Sequence, residues 1–254
     1  MARKLDHAAA SVRAFALLDA LAQNDGPVTL ASLAQRVRLP KPTVHRLLGQ
    51  LAGAELVGRE PEGRRFTIGP RLSSLALRVL ANSTHRGARR AILQGLVDEL
   101  GETCNLTMLE GAQVVYLDRV ETPSPLRVNL QPGSKVPLHC TASGKLLLAL
   151  LPAARRARLM AHLRLERHTP CSLAERSALE AHLKRVRRER VGTDAEEFIT
   201  GLVCVAVPML WRDGRAIGAV AMQAPVARMP LPRALEHVPT LQRAAGELAA
   251  TFAQ

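Results

Sequence analysis

Residues Val28 to Gly69, VTLASLAQRVRLPKPTVHRLLGQLAGAELVGREPEGRRFTIG, decide the fold of the first third of the chain. Apolar side chains recur three and four residues apart after Thr29, whose hydroxyl suits the N-cap of a helix. These apolar residues are Leu30, Leu33, Ala34 and Val37. Leu39 and Pro40 interrupt the periodicity, so the first predicted helix is short.

A second helix follows the break and runs to about Ala52. Pro42 suits its first turn, because proline has a helical φ and lacks an amide hydrogen that this turn cannot use. The inward positions are Val44, Leu47, Leu48 and Leu51. The outward positions are Lys41, Thr43, His45, Arg46 and Gln50. Arginine and glutamine read base edges in the major groove, while lysine and the first amides of a helix suit phosphates.

Two short strands, at residues 56–57 and 66–68, follow around the turn sequence Pro61-Glu62-Gly63. Three arginines lie on this hairpin: Arg59, Arg64 and Arg65. A turn between two helices followed by a basic hairpin is typical of a winged helix-turn-helix. The stretch therefore predicts a DNA-binding unit rather than a pair of helices whose charges face only water.

The charge and composition of the whole chain agree with a duplex DNA partner. Its 254 residues include 35 lysines and arginines against 22 aspartates and glutamates, a formal net charge of +13, which favours a polyanion. Aromatic residues make up only 2% of the chain, so few side chains could stack on unpaired bases. Residues 155–190 also hold 11 basic against 4 acidic residues, which we interpret as solvated helix faces.

Nothing in the sequence indicates a membrane partner. No apolar run approaches the ~20 residues that span a bilayer. Arg13 interrupts the N-terminal stretch where a signal peptide would be apolar. We therefore expect a cytoplasmic protein.

Helices are predicted on both sides of the DNA-binding unit. Residues 8–22 form an apolar helical pattern that ends at a turn sequence, residues 24–27. Its predicted inward side is Val12, Phe15, Leu18 and Leu21 or Ala22. After the hairpin, a connecting helix is expected to pack against its copy in a second subunit. We divide the chain into a winged helix-turn-helix domain (1–69), a linker helix (70–84) and a C-terminal domain (85–254).

The C-terminal domain shows an α+β pattern. Helices are predicted over residues 86–100, from near 142, over 172–190 and over 232–252. Strands are predicted over residues 104–110 and 112–120, with 127–130 continuing the pattern, and over a buried hairpin of 202–211 and 215–224. This order predicts helices packed on a mostly antiparallel sheet.

The cysteines do not indicate a metal or a disulfide framework. Cys104, Cys140, Cys171 and Cys204 form no C-x-x-C pair and no zinc-ligand spacing. His168 lies three residues before Cys171, but two ligands do not complete a tetrahedral site. We expect no metal and no cofactor.

Three segments occur in order along nearly the whole chain: LPKPTVHRLLGQL (39–51), TASGKLLLA (141–149) and TDAEEFITGLVC (193–204). Together they resemble the IclR family of bacterial transcriptional regulators. The resemblance implies a GAF-like C-terminal domain that binds a small effector, an organic acid or an aromatic compound.

The resemblance also implies where the effector binds. The implied pocket residues are Ala142, Ser143, Gly144, Asp194, Cys204, Ala221 and Gln223. The amides of residues 142–144 would lie at a helix N-terminus, which favours an anion. Asp194 can accept a hydrogen bond from a ligand, and Cys204 offers a small polarisable wall. Some relatives have two serines where this chain has Ala221 and Gln223, so its ligand should differ from theirs.

Purely structural roles also fit the predicted pocket side chains. Ser143 can cap or start a helix, Asp194 can cap local backbone, and Cys204 can be a small core residue.

We expect a ligand-responsive transcriptional regulator, most simply a repressor, of a pathway that degrades an organic acid or aromatic compound. It would bind a double-stranded operator as a homodimer or tetramer and would not be an enzyme. Either sign of control fits the residues.

Three alternatives stay open. One is a regulator in which thiol oxidation replaces the ligand, although Cys204 lies in an apolar run and is expected to be buried and inert. Another is a hydrolase with Cys204 or Cys140 as nucleophile and His139 as base, although His139 and Cys140 would point apart on a strand. The third is an architectural DNA binder without sequence preference.

Overall fold

The structure is a computed structural model that describes residues 8–24, 26–60, 63–81, 86–125, 128 and 130–252. The chain divides into two compact units between Val79 and Leu80. This division falls within the predicted linker helix, whose residues 82–84 lie outside the described residues.

The first unit contains a helix-turn-helix and a hairpin. Its elements are α1 (Ala10–Ala22), β1 (Val28–Thr29), α2 (Leu30–Val37), α3 (Lys41–Gly53), β2 (Val57–Arg59), β3 (Arg65–Ile68) and most of α4 (Pro70–Ala81). The strands form an antiparallel sheet in the order β1-β3-β2. The predicted winged helix-turn-helix is thus confirmed. β1 was not predicted, because two residues are too short for an alternating pattern.

Local signals in the sequence set the ends of α2 and α3. The hydroxyl of Thr29 accepts a hydrogen bond from the Ser32 amide at 3.3 Å, as expected of an N-cap. Arg38 ends α2 in the left-handed conformation, with φ of 53°. Pro42 lies in the first turn of α3. The four predicted inward residues of α3 are all buried.

The predicted inward face of α1 is right at Leu18 and Leu21, which pack in the core, and wrong at Val12 and Phe15. Leu17 and Leu21 are buried, whereas Val12 is 52% exposed and Phe15 is 73% exposed. α1 packs against α2, α3 and β3. Because this helix is rich in alanine and leucine, more than one of its stripes is apolar, and only the packing selects which stripe is buried.

The second unit contains the remaining elements. These are α5 (Arg86–Leu100), β4 (Thr103–Glu110), β5 (Gln113–Val120), β6 (Lys135–Pro137), α6 (Ala142–Leu150), α7 (Ala153–His162), α8 (Arg176–Glu189), β7 (Gly192–Ala195), β8 (Leu202–Leu210), β9 (Ala216–Pro225), α9 (Leu231–Glu236) and α10 (Val238–Ala250). The six strands form an antiparallel sheet in the order β6-β5-β4-β9-β8-β7. The α+β prediction is confirmed.

Helices cover both faces of this sheet. α5 and α10 pack on one face, and α6, backed by α8, packs on the other. Successive side chains of a strand point to opposite faces, so on β8 Val205 and Val207 join the α10 core while Ala206 joins the α6 core. Gly192 permits the close approach of α6 to β7, since a Cβ there would lie 2.2 Å from the carbonyl oxygen of Ala142.

Several predicted boundaries in this unit are wrong. The last helix is two, α9 and α10, which meet at His237, because Pro239 has no amide hydrogen with which to continue α9 but suits the first turn of a new helix. α8 begins at Arg176 rather than at 172, since the hydroxyl of Ser172 holds the preceding loop by hydrogen bonds. Residues 126, 127 and 129 lie outside the described residues, and residues 128 and 130 are not in a strand.

Among the described residues, no helix is both long enough and apolar enough to cross a membrane.

Candidate functional site

The outward surface of α3 carries the predicted DNA-contacting residues. Lys41, His45, Arg46 and Gln50 are exposed, and Thr43 is half-buried. None of the five is among the buried residues of the helix. Lys41 and Arg46 form no ion pair with any described residue, so their charges are available to phosphates and bases.

The hairpin presents its arginines beside this helix. Arg59, Arg64 and Arg65 are exposed. The Arg59 guanidinium carbon lies 5.4 Å from the centre of the Phe66 ring, a cation–π contact that supports its side chain. The end of β3 is fixed to the segment that joins α3 to β2, because the Gly69 amide donates to the Leu56 carbonyl at 2.9 Å.

Gly69 itself is required by that close approach. A Cβ at this position would lie 2.2 Å from the carbonyl oxygen of Glu55. The hairpin and α3 are therefore held together as one basic surface.

The second candidate site is a cavity between α6 and the sheet. Six of the predicted effector residues line it: Ala142, Ser143, Asp194, Cys204, Ala221 and Gln223. Sequence reasoning missed other lining residues, including Asn105, Thr107, Tyr116, Thr141 and Phe198. A signal for Asn105 and Thr107 was present, because alternate polar residues within an otherwise apolar strand mark one face.

Gly144 is the predicted pocket residue that does not line the cavity. Its amide donates to the Thr141 hydroxyl at 3.1 Å, which caps α6. That amide is therefore used by the helix cap and is not free for an anion.

A row of paired residues crosses the sheet beneath α6. Asp194 is opposite Cys204, and Cys204 is opposite Gln223. The Asp194 carboxylate accepts a hydrogen bond from the Glu197 amide at 2.7 Å, so it also caps local backbone. Burial raises the pKa of Asp194 to about 7, with the nearby Glu197 carboxylate acting in the same direction.

Gln223 connects the cavity to a buried cation. With its amide oxygen turned toward Arg119, it accepts hydrogen bonds from Nη1 and Nη2 at 2.9 and 3.0 Å. The other end of the Gln223 amide faces the Tyr116 hydroxyl at a distance of 3.5 Å. The Arg119 side chain is only 2% exposed and is paired with Glu121 at 3.4 Å. A positive charge thus lies directly behind the cavity wall.

The cavity is small. Its volume is about 20 Å³, close to that of one water molecule. A larger groove, of about 750 Å³, lies between α7 and α8 but is open and contains none of the predicted residues. We place the candidate effector site in the small cavity, because buried polar side chains converge there.

Two of the cysteines, Cys104 and Cys204, are poorly suited to thiolate chemistry. Burial raises the pKa of the Cys104 and Cys204 thiols, which keeps them protonated and unreactive. Cys171 is the exposed cysteine. His139 and Cys140 are not on a strand, so the expectation that they point apart does not apply.

Comparison with known proteins assigns the chain to a family. Residues 78–250 match the family of the bacterial transcriptional regulator IclR C-terminal domain, and residues 10–61 match the IclR helix-turn-helix domain. The probable transcriptional regulator SauR of Cupriavidus necator is 50% identical over 246 residues, which cover 97% of this chain and 98% of that protein. The transcriptional repressor IclR of Escherichia coli is 27% identical over 242 residues, 94% of this chain and 88% of that protein.

A solved structure supports the fold. The crystal structure of an IclR homolog from Microbacterium hydrocarbonoxydans, complexed with 4-hydroxybenzoate, has a TM-score of 0.59 at 22% identity. The similarity covers 96% of this chain and 99% of that one. The named relatives are regulators and not enzymes. The chain is therefore a DNA-binding transcriptional regulator of the IclR family.

Proposed function

We propose that this regulator binds a small organic acid in the cavity between α6 and the sheet, and that the acid changes its affinity for an operator. The observation that carries this proposal is a cluster of three buried side chains at the cavity wall, Arg119, Gln223 and Tyr116, joined by hydrogen bonds. Buried polar and charged side chains cost free energy, so their concentration at one cavity favours a recognition role.

The chemistry of that wall favours an anionic effector. The Gln223 amide oxygen is held by both terminal nitrogens of the Arg119 guanidinium. A carboxylate in the same position would accept the same pair of hydrogen bonds and add charge, which makes such pairs strong. We propose Arg119 as the residue that binds the acid group.

The small volume of the cavity connects binding to a change in the protein. An organic acid is larger than the space of about 20 Å³, so Gln223 or α6 must move to admit it. A ligand that binds only the rearranged protein shifts the population toward that arrangement. Such a shift could alter operator affinity by about 5- to 150-fold, the usual range of allosteric coupling.

The relatives agree with this class of ligand and with repression. The Microbacterium homolog was crystallised with 4-hydroxybenzoate, an aromatic acid, and the Escherichia coli relative is named a repressor. We propose that this chain represses a pathway that consumes an organic or aromatic acid, acting in the cytoplasm where its DNA lies.

We further propose that the regulator acts as a homodimer or a dimer of dimers. The first unit exposes Val12 and Phe15 on α1 and Leu75 and Val79 on α4. Exposed apolar side chains of this kind commonly pack in a subunit interface. A second copy of the chain would cover them and would place two copies of α3 on one operator.

Arg119→Met tests the proposed effector site. The full-length protein is titrated with its own upstream intergenic DNA and with a random duplex, with and without a panel of carboxylic and aromatic acids. Wild type should prefer the upstream DNA, and one acid should shift that affinity. Arg119→Met should keep the preference and lose the shift, whereas Arg215→Ala, an exposed arginine before β9, should retain both. An unchanged shift in Arg119→Met would contradict the assignment.

A further inference from the structure

We propose a zinc site formed by His139, Cys140 and His168, next to the N-terminus of α6. One ring nitrogen from each histidine and the Cys140 sulfur lie within 4.8 Å of one another. Imidazole nitrogen and thiolate sulfur are the ligands that zinc prefers in proteins. His139 and Cys140 are adjacent in the sequence, but His168 lies far along the chain and outside any zinc-ligand spacing, so the fold alone brings the three residues together.

His139 has one ring nitrogen free to bind a metal ion. Its Nε2 lies 2.8 Å from the carbonyl oxygen of Glu166, and a carbonyl can only accept, so Nε2 carries the proton. That tautomer leaves a lone pair on Nδ1. His139 is 1% exposed, and its Nδ1 has no hydrogen-bond partner among the described residues.

An unpaired buried acceptor is costly and calls for a partner. Metal-binding histidines usually donate their second nitrogen to a carbonyl or carboxylate, as His139 does to Glu166. A metal ion bound to Nδ1 of His139 would supply the partner that this nitrogen lacks.

Cys140 supplies the anionic ligand. It is fully buried. Burial raises the pKa of its thiol to about 12, so the sulfur keeps its proton until a cation displaces it. Zinc binding would form a zinc–sulfur bond and release that proton to solvent.

His168 lies on a loop that hydrogen bonds hold in place. The Ser172 hydroxyl accepts from the His168 and Thr169 amides at 3.0 and 2.9 Å and donates to the Glu197 carbonyl at 2.6 Å. The His168 ring makes an edge contact with Phe198, with ring centres 5.2 Å apart. The side chain itself is exposed, so it gives zinc a path into the site and can move toward the ion.

Three protein ligands leave one coordination position of a tetrahedral zinc for water or another ligand. Zinc–sulfur bonds of about 2.3 Å and zinc–nitrogen bonds of about 2.0 Å require the donor atoms to draw together from their present separation. The exposed imidazole of His168 is the group best able to do so. This site differs from the proposed effector site, and it stands whether or not an acid binds in the cavity.

Cobalt is the direct probe, because Co²⁺ takes the place of zinc and a cobalt–thiolate bond gives a charge-transfer absorption band. Reduced full-length protein, freed of metal, should bind one Co²⁺ with that band and lose it when Zn²⁺ is added. His168→Ala should weaken binding about tenfold or more. Cys140→Ser should abolish the band. Cys171→Ser removes the exposed cysteine and should change neither the Co²⁺ affinity nor the absorption band.

The variants separate the possible results. Absence of a thiolate band in wild type would overturn the proposal, as would a band that persists in Cys140→Ser or disappears in Cys171→Ser. Should Cys140→Ser fail to fold, His168→Ala decides the matter, because its side chain is exposed: unchanged Co²⁺ affinity in that variant would overturn the proposed site.

Discussion

Lys145 and Glu197 form an ion pair that is almost completely shielded from water. The Lys145 side chain is 0% exposed and that of Glu197 is 7% exposed, and their contact ties α6 to the segment after β7. Charges in such a setting are stable only while they are paired. The pair therefore fixes the position of α6 over the cavity.

Removing one partner should be much worse than removing both. Lys145→Met should lower the free energy of unfolding by about 3–5 kcal/mol, because Glu197 is left as an uncompensated buried charge. Lys145→Met combined with Glu197→Gln should recover most of that loss. Urea unfolding of the three proteins measures both values, and equal stability of the single and double variants would contradict this role.

Asp194 should make stability fall as pH rises. Its pKa is about 7 in the folded protein against an ordinary value near 3.8, so between these values the folded chain holds a proton that the unfolded chain has released. The free energy of unfolding then decreases with pH across that window. The groups that act on Asp194 are the Glu197 carboxylate, which raises its pKa, and the Lys145 ammonium, which lowers it.

Asp194→Asn provides the comparison. Asparagine can still accept the hydrogen bond from the Glu197 amide, but it carries no titrating proton. Stability measured by urea unfolding from pH 4 to pH 8 should fall less in the variant than in wild type. Parallel pH profiles for the two proteins would show that Asp194 has an ordinary pKa.

At the scale of single elements, α3 and the hairpin are expected to contribute differently to DNA binding. Arg46 lies on the outward side of α3, the helix that we propose enters the major groove, whereas Arg64 lies beside β3 on the hairpin. Contacts with base edges give specificity, and contacts with phosphates give affinity that depends on salt.

Substituting these two arginines separates the two effects. Arg46→Ala should reduce discrimination between operator and random duplex by about 1–3 kcal/mol, the value of a good base contact. Arg64→Ala should weaken binding to both duplexes equally and lower the slope of log affinity against log salt by about 1. Fluorescence anisotropy over a range of salt concentrations gives both quantities. Equal losses on both duplexes for Arg46→Ala would argue against this assignment of the helix.

Elements with strong local signals could be predicted from the sequence, and elements that depend on distant partners could not. The N-cap at Thr29 and the proline in the first turn of α3 are local, and both occur as expected. β6 and β7 have only 3 and 4 residues and exist through pairing with β5 and β8. The buried stripe of α1 is likewise decided by α2, α3 and β3.

In the candidate site, too, residues with a sequence signal could be predicted, and residues brought together only by the fold could not. Six of seven residues implied by family resemblance line the cavity. Arg119 was missed because its charge gave no sign of burial, and only the structure brings it against Gln223. The cluster of His139, Cys140 and His168 was missed because the spacing of the residues along the chain is unlike a zinc motif.

For the whole molecule, the exposed apolar side chains of α1 should hold copies of the chain together. Phe15 is 73% exposed, and Phe15→Glu would place a charge in an apolar interface at little cost to the single chain. The variant should shift toward monomer in light scattering coupled to size-exclusion chromatography. Glu236→Gln, a change at the end of α9, should keep the wild-type assembly. An unchanged mass for Phe15→Glu would place the interface elsewhere.

Reciprocal coupling between operator and effector is the decisive property of a ligand-responsive regulator. The dissociation constant of the operator is measured with and without an acid that the protein binds, and that of the acid is measured with and without the operator. A ligand-responsive regulator requires both constants to change by the same factor, which we expect to lie between about 5 and 150. Two constants that do not change would contradict ligand response, because the cavity would then have no influence on DNA binding.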